Sequence, residues 1–241
     1  MANMVQLKML EDLNAFLLVD KPVGIAFASV VKVVKRKFNL VKVGHGGSLD
    51  AAASGLLVLL VNDANRFVGD VMGADRAYTG TMRLGLRTNT GDVQGEPVAA
   101  AGAASPSVTP AVTDALLAEF RGDIFQTEPR FCSVRREGSA AYEIADTGEH
   151  KPFLTHVYRL DVGPESGGRM PFEVVATKGL IVRALVNDFG EALGCGAALE
   201  SCRRTRVGRF KVEDAIPFDR LLETDIRDFA SCTIPLGKAL L

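Results

Sequence analysis

Residues 42–62 read KVGHGGSLDAAASGLLVLLVN, and the rest of the chain is organised around them. Gly44-His45-Gly46-Gly47 leads into Ser48-Leu49-Asp50; three alanines and Ser54-Gly55 follow, and the apolar run Leu56 to Val61 closes the stretch. Glycines and small residues let a backbone turn sharply and let another molecule come close to it. The apolar run is short and unbroken, which predicts a buried strand anchoring the loop. Asp50 is the only acid between Asp20 and Asp63, and it stands where the side chains are smallest. A lone carboxylate on a cramped, anchored loop suits a nucleophile or a base. The same spacing suits an ordinary turn, in which Asp caps a helix or bonds its own backbone. A nucleotide-phosphate loop is excluded, because neither G-x-x-x-x-G-K-[ST] nor G-x-G-x-x-G is present. A hydrolase built on Ser48 and His45 is disfavoured, since no G-x-S-x-G surrounds the serine.

Composition narrows the class. The chain has 241 residues, of which 47% are hydrophobic and 24% charged, the balance of a globular protein with one large domain or two small ones. The formal net charge is −1, so a nucleic-acid partner must be held by local basic patches. The start MANMVQLKMLEDLN lacks a basic region followed by an apolar one, and no apolar run is long enough to span a bilayer. A cytoplasmic protein without a membrane partner is expected. The four cysteines form no C-x-x-C pair and His45, His150 and His156 are scattered, so no metal site is expected.

Taken in order, Ala15 to Val19 reads as a buried strand closed by the turn Asp20-Lys21-Pro22-Val23-Gly24, which carries Lys21. Residues 29–38 (SVVKVVKRKF) form a helical stripe with Lys32, Lys35, Arg36 and Lys37 mostly opposite the apolar side. Asp63 to Met72 reads as a helix with Asp63 as N-cap. Ala77 to Leu86 reads as a half-buried strand with Tyr78 near its start, and residues 88–97 as turn chemistry. The Ala-, Ser- and Pro-rich residues 98–110 read as a pliable connection. Pro110 to Phe120 reads as a helix, Glu128 to Arg136 as a turn and a basic strand, and Ser139 to Thr147 as a short helix. Val157 to Val162 and Phe172 to Ala176 read as strands that pair across GPESGGRM. Leu180 to Leu193 reads as a helix whose first turn holds Arg183, a place where the helix dipole favours acids; a carboxylate partner would explain it. Arg203, Arg204, Arg206, Arg209 and Lys211 make the densest basic patch, suited to phosphates or to a solvated edge strand. A short helix near 218–223 and a closing segment from Cys232 end the chain. No repeat and no strong second domain boundary stands out.

These pieces in this order resemble the bacterial tRNA pseudouridine synthases that modify the T-loop uridine, the TruB family. The family's G-H-x-G-[TS]-L-D-P-x-A-x-G-[LM]-L is met by Gly44 to Leu57. Its [LV]-x-[DN]-K-P-x-G is met by Val19 to Gly24, and its K-x-Y by Arg76-Ala77-Tyr78. Its T-x-T-x-D-x-x-G is met by Thr88 to Gly95. The pattern F-x-G-x-I-x-Q-x-P-P-x-[FY]-S-A-[VL]-[KR] is met loosely by Phe120 to Arg136. Lys178 to Gly190 match K-G-T-Y-I-R-x-L-x-x-D-L-G, and Cys202 to Phe210 match L-R-R-x-x-x-G-x-[FY]. The resemblance covers nearly the whole chain from about residue 15.

The resemblance implies an α+β fold, a mixed and mostly antiparallel sheet with helices around a central cleft. It implies a single catalytic domain over 1–241 with residues 1–14 as an extension, and without the small C-terminal RNA-binding domain of many members. It implies an isomerase that breaks a uridine's C1′–N1 bond, rotates the base and rejoins it through C5, with no cofactor and no metal, in a protein that acts as a monomer on the T-arm stem-loop of tRNA. Asp50 is the implied catalytic aspartate, Tyr78 stacks on the target uracil, and Arg183 pairs with Asp50, which answers the helix-start problem. His45 fills the space left by flipped bases. Lys21, Lys178, Ile181, Cys202, Arg203 and Arg204 are implied to border the substrate, with Arg130, Arg135 and Arg136 adding phosphate contacts.

Four departures bear on activity. Ala51 replaces the proline after the aspartate and Gly46 replaces a threonine, and both are expected to loosen the loop. Cys202 replaces a leucine. Ile181 replaces a tyrosine whose ring borders the uracil and whose hydroxyl suits the late proton transfer at C5; isoleucine cannot move a proton. Two readings stay open: a tRNA pseudouridine synthase with a modified pocket, or a catalytically impaired relative acting as an RNA-binding or tRNA-folding factor.

Overall fold

The computed structural model of the chain describes residue 10 and residues 12–98, 110–127 and 152–239. Between the last two ranges it describes the short strands Phe131–Cys132, Arg135–Arg136, Ser139–Ala140 and Glu143–Ile144. The chain forms two compact units, one from Met1–Asp75 with Arg203–Leu241 and one from Arg76–Cys202. Each contains helices and a sheet, the mixed α/β composition that was expected. Among the described residues no helix is long and apolar enough to cross a membrane.

In the first unit the strand Ala15–Lys21 runs antiparallel to Ser54–Val61, with Ala15 opposite Val61 and Lys21 opposite Gly55. The sheet is mixed: Ile216–Pro217 adds in parallel to the first of these strands, and Arg203-Arg204 add in parallel to Ser54-Gly55. Ile234–Pro235 and Val43–His45 add antiparallel. Leu17, Val19, Leu57, Leu59 and Val61 face one cluster, packed under Val30, Val34, Phe38, Leu221 and Phe229. Phe16, Leu18, Leu56, Val58 and Leu60 face a second cluster with Val71, Val207 and Val212. Both faces are covered, which is why these two strands read as continuous apolar runs and not as alternating ones.

The helix Phe27–Lys37 buries Val30 and Val34 and places Lys35, Arg36 and Lys37 in its last turn, where cations suit the dipole. It ends where Asn39 turns left-handed (φ 48°), with Leu40 N–H on the Lys35 carbonyl and Asn39 N–H on that of Arg36. The expected helix over 63–72 is instead the 3-10 turn Asn62–Phe67 followed by the helix Val68–Gly73. Asp63 is not its cap. Asn62 (φ 50°) bends the chain out of the strand, its amide held by the Leu10 and Leu13 carbonyls, so the helical turn starts a residue early and Asn14 Oδ1 takes the Asp63 N–H.

In the second unit the strands from Arg76–Leu84 to Gly122–Gln126 pair antiparallel. Ala197–Val207, whose residues through Cys202 belong here, is followed by Arg76–Leu84, Arg169–Ala176, Phe153–Val162 and Gly122–Gln126. The anticipated pairing of the two middle strands is present, with Val162 opposite Phe172. Tyr78 lies opposite Val174. The helix Val182–Ala192 buries Val182, Leu185, Val186 and Phe189, and Pro110–Glu119 is the other long helix described. The reading of Ser139 to Thr147 as a helix is corrected: the described residues there are strands, Ser139 opposite Arg136 and Glu143 opposite Cys132. Residues 99–109 and Arg130 lie outside the described residues, as do the side chains of Arg135 and Arg136.

Candidate active site

The loop carrying Asp50 is held by backbone bonds on both sides of the acid. His45 pairs with Leu59 at the end of Val43–His45, and the next N–H, of Gly46, donates to the Val58 carbonyl (2.8 Å). A Cβ on Gly46 would lie 2.2 Å from Val71 Cγ1, so the glycine is the point where the backbone packs on Val71. This corrects the expectation that Gly46 loosens the loop. Gly47 (φ 135°) then turns, and its N–H donates to His45 Nδ1 (3.3 Å). The His45 ring sits 4.8 Å from that of Phe27. Beyond Asp50, which is half-buried, Ala53 N–H donates to the Asp50 carbonyl (3.1 Å) and Gly24 N–H to that of Ala51 (2.7 Å).

Two cations expected at the RNA are placed inside the unit. Arg204 is 1% exposed; its Nε donates to the Leu56 carbonyl (2.8 Å), Nη1 to that of Ser48 (2.7 Å) and Nη2 to that of Gly47 (3.3 Å). Lys21 is fully buried at the end of its strand and not on the turn; its Nζ donates to the Pro22 and Ile25 carbonyls (2.7 and 2.9 Å). Burial pushes the Lys21 ammonium down to about 8 against the pull of Asp50's charge, with Arg204 lowering it further. Arg203 is half exposed and forks onto Asp20, Nη1 to Oδ1 at 2.9 Å and Nη2 to Oδ2 at 2.7 Å. This pairing raises the Arg203 guanidinium above its ordinary value. Residues 203–211 are therefore not one phosphate-facing stripe. A strand sends neighbouring side chains to opposite faces, and Arg206 and Arg209 also cap carbonyls, those of Gly208 and Lys238.

In the second unit Tyr78 and Cys202 are buried, Ile181 is half-buried and Lys178 is exposed. Arg183 lies in the first turn of Val182–Ala192, 6% exposed, and its Nη1 donates to the Thr90 carbonyl (2.9 Å). The segment around Thr90 is built to hold that carbonyl. Asp92 Oδ1 accepts from Thr90 Oγ1 (2.8 Å) and from Gln94 N–H (3.0 Å), and Thr88 Oγ1 donates to the Asp92 carbonyl (2.6 Å). The residue that sequence reasoning passed over is Gln126. It is 1% exposed, its Oε1 accepts from Ile181 N–H (3.0 Å) and its Nε2 donates to the Ile181 carbonyl (3.2 Å). One amide thus pins the backbone of Ile181, the residue before the helix that carries Arg183. Its place as the glutamine of the F-x-G-x-I-x-Q pattern was the available signal.

The structure brings Asp50, His45, Lys21, Arg203 and Arg204 together within the first unit, while Tyr78, Lys178, Ile181, Arg183 and Cys202 belong to the second. Two family descriptions match the chain: TruB family pseudouridylate synthase (N terminal domain) over residues 35–182, and tRNA pseudouridylate synthase B C-terminal domain over residues 183–231. The chain is 36% identical over 214 residues to a protein named tRNA pseudouridine synthase B from Bordetella avium, covering 88% of each. It is 39% identical over 212 residues to a protein of the same name from Burkholderia pseudomallei, covering 87% of this chain and 69% of that one. Among solved structures it is similar to a Cbf5-Nop10-Gar1 complex, with a TM-score of 0.72 and 26% identity over 97% of this chain and 63% of that chain. It is also similar to an H/ACA RNP bound to a substrate RNA containing 2′-deoxyuridine, with a TM-score of 0.68 and 26% identity over 96% of this chain and 62% of that chain. The chain thus spans less than two thirds of each of those two solved chains.

Proposed function

The chain belongs to the TruB family of pseudouridylate synthases, and from that premise we propose that it is an isomerase converting the T-loop uridine of tRNA, position 55, to pseudouridine. Asp50 is the catalytic carboxylate in this reading. The observation that carries it is the loop itself: a single acid among glycines and alanines, with the backbone before and after it tied to Val58, Arg204 and Gly24. A held carboxylate with small neighbours lets a nucleotide approach without moving the acid, which is the positioning a reacting group needs.

The reaction needs no oxidant and no exchanged group. The C1′–N1 bond breaks, C1′–C5 forms, N1 gains a proton and C5 loses one, so the residues must hold the base and move protons. Reaching the site requires the uridine to leave the T-loop stack, at about a few kcal/mol. In this reading His45, on the Asp50 loop and in contact with Gly47 and Phe27, takes the vacated space. Tyr78 supplies the stacking face and Arg183 the cation assigned to the reaction. The partner is the T-arm of tRNA, recognised by shape and backbone, and the protein acts as a monomer.

A second reading rests on one residue. Ile181 has no proton to give or take, which favours a relative that binds RNA and has lost turnover. Turnover on an unmodified tRNA transcript, compared between the wild type and Ile181→Tyr, separates the two. Wild-type turnover supports the synthase; binding without turnover, restored by Ile181→Tyr, establishes the second reading and names the lost element.

A further inference from the structure

We propose that Arg204 is a positioning residue for Asp50 and not an RNA contact: its guanidinium ties the two ends of the catalytic loop to each other. The proposal rests on the reading of Asp50 as the reacting acid.

The geometry starts at Gly55. Arg204 pairs in parallel with Gly55, and a Cβ there would lie 2.3 Å from the Arg204 carbonyl oxygen. Only a glycine, here at φ 103°, lets the two backbones come so close. From that position the side chain reaches the Ser48 carbonyl, two residues before Asp50, and the Leu56 carbonyl, six residues after it. The third donor takes Gly47, whose left-handed turn precedes Ser48. One planar group thereby closes residues 47–56 into a fixed loop with Asp50 in its span. An ammonium cannot replace it, because three carbonyls in different directions match a rigid fork and not a single nitrogen.

A buried charge is costly, so its retention calls for a reason. Two carbonyls of the loop, at 47 and 48, and the strand carbonyl at 56 are all bonded to the same buried cation. Without it all three carbonyls would lose this donor, and the loop would reopen toward water. At 1% exposure Arg204 presents nothing to a phosphate. The neighbouring cation, Arg203, is half exposed, so the two arginines of the pair have different tasks.

The test uses the full-length wild type, Arg204→Lys and Arg204→Ala. Three readouts are needed: turnover on a tRNA transcript, RNA affinity against salt, and hydrogen exchange of the peptide spanning residues 46–58. The expected result for Arg204→Lys is a fall in kcat of about 10²-fold, the scale of a misplaced reacting group, with RNA affinity and its salt slope unchanged. Exchange across 46–58 should accelerate while the rest of the chain keeps its protection. Ethylguanidinium should restore turnover to Arg204→Ala, and ethylammonium at the same concentration should not, a distinction that a general loss of folding would not produce. Wild-type kcat in Arg204→Lys, or a salt slope for Arg204→Ala smaller by about 0.7–0.9, would overturn the proposal in favour of a phosphate contact. An inactive wild type would end the reading of the function alone; unchanged exchange across 46–58 in Arg204→Lys would then still refute the role of Arg204.

Discussion

Gly46 decides whether the Asp50 loop is loose or packed, and the two possibilities predict opposite signs. Its φ is not in the left-handed region, so alanine is admissible on backbone grounds. If the glycine merely freed the loop, Gly46→Ala would stabilise the protein by about 0.4–1 kcal/mol through the unfolded chain. In the structure the added Cβ meets Val71 Cγ1 at 2.2 Å, Val71 Cβ at 3.1 Å and Val58 Cβ at 3.4 Å. A valine on a short helix cannot rotate away from all of these, so overpacking should cost about 1–3 kcal/mol. Val71→Ala alone removes two methyl groups from the cluster with Phe16, Leu18 and Val58, costing about 2 kcal/mol. Combined, each substitution relieves the other, and the double variant should be more stable than the sum by about 1–3 kcal/mol. Urea unfolding of the four proteins closes the cycle, and thermal unfolding should move by about 2–4 °C for each kcal/mol. Turnover should follow the same order, reduced in Gly46→Ala and recovered in the double variant. Stabilisation by Gly46→Ala, or additivity within about 0.5 kcal/mol, would refute the packing argument.

Gln126→Leu keeps the volume but removes both bonds to Ile181, whose N–H loses its acceptor while its carbonyl keeps the Leu185 N–H. Stability should fall by about 1–3 kcal/mol in urea and turnover with it; an unchanged midpoint would show that the amide does not hold the helix start. Lys21 makes a pH prediction. Its folded value, about 8, lies below the ordinary 10.5, so between these values the unfolded chain holds a proton that the folded chain has released. Stability therefore rises with pH across that window, and the burial penalty is present in full below it. The difference between the wild type and Lys21→Met, followed by urea unfolding from pH 7 to 10, should shrink by up to about 1 kcal/mol per pH unit. A difference that stays flat would mean the ammonium is not desolvated.

Much of this was legible because periodicity and small-residue spacing report on the backbone. The runs Ala15 to Val19 and Leu56 to Val61 are apolar on both faces, and the structure covers both. The apolar positions after Leu180 have helical spacing, and the helix starts at Val182 with Arg183 in its first turn as read. What failed depended on partners far along the chain. Asp63 has the chemistry of an N-cap, but Asn62 and Asn14, 49 residues away from Asp63, took over the turn. Arg203 and Arg204 are adjacent and identical in type, and only the pairing of their strand with Gly55 shows that one faces out and the other is swallowed. Gly46 looked like slack because its neighbour across the fold, Val71, is 25 positions on. Gln126 stands out in the sequence only as the glutamine of the F-x-G-x-I-x-Q pattern, and its grip on Ile181, 55 positions on, shows only in the fold.

Pseudouridine formation on an unmodified tRNA transcript is the direct test of uridine isomerisation at the Asp50 loop. The purified wild type, without added metal or cofactor, should convert the uridine at position 55. Asp50→Ala should bind the same transcript and convert none of it. Conversion by Asp50→Ala at the wild-type rate, or none by the wild type while it binds, would contradict it.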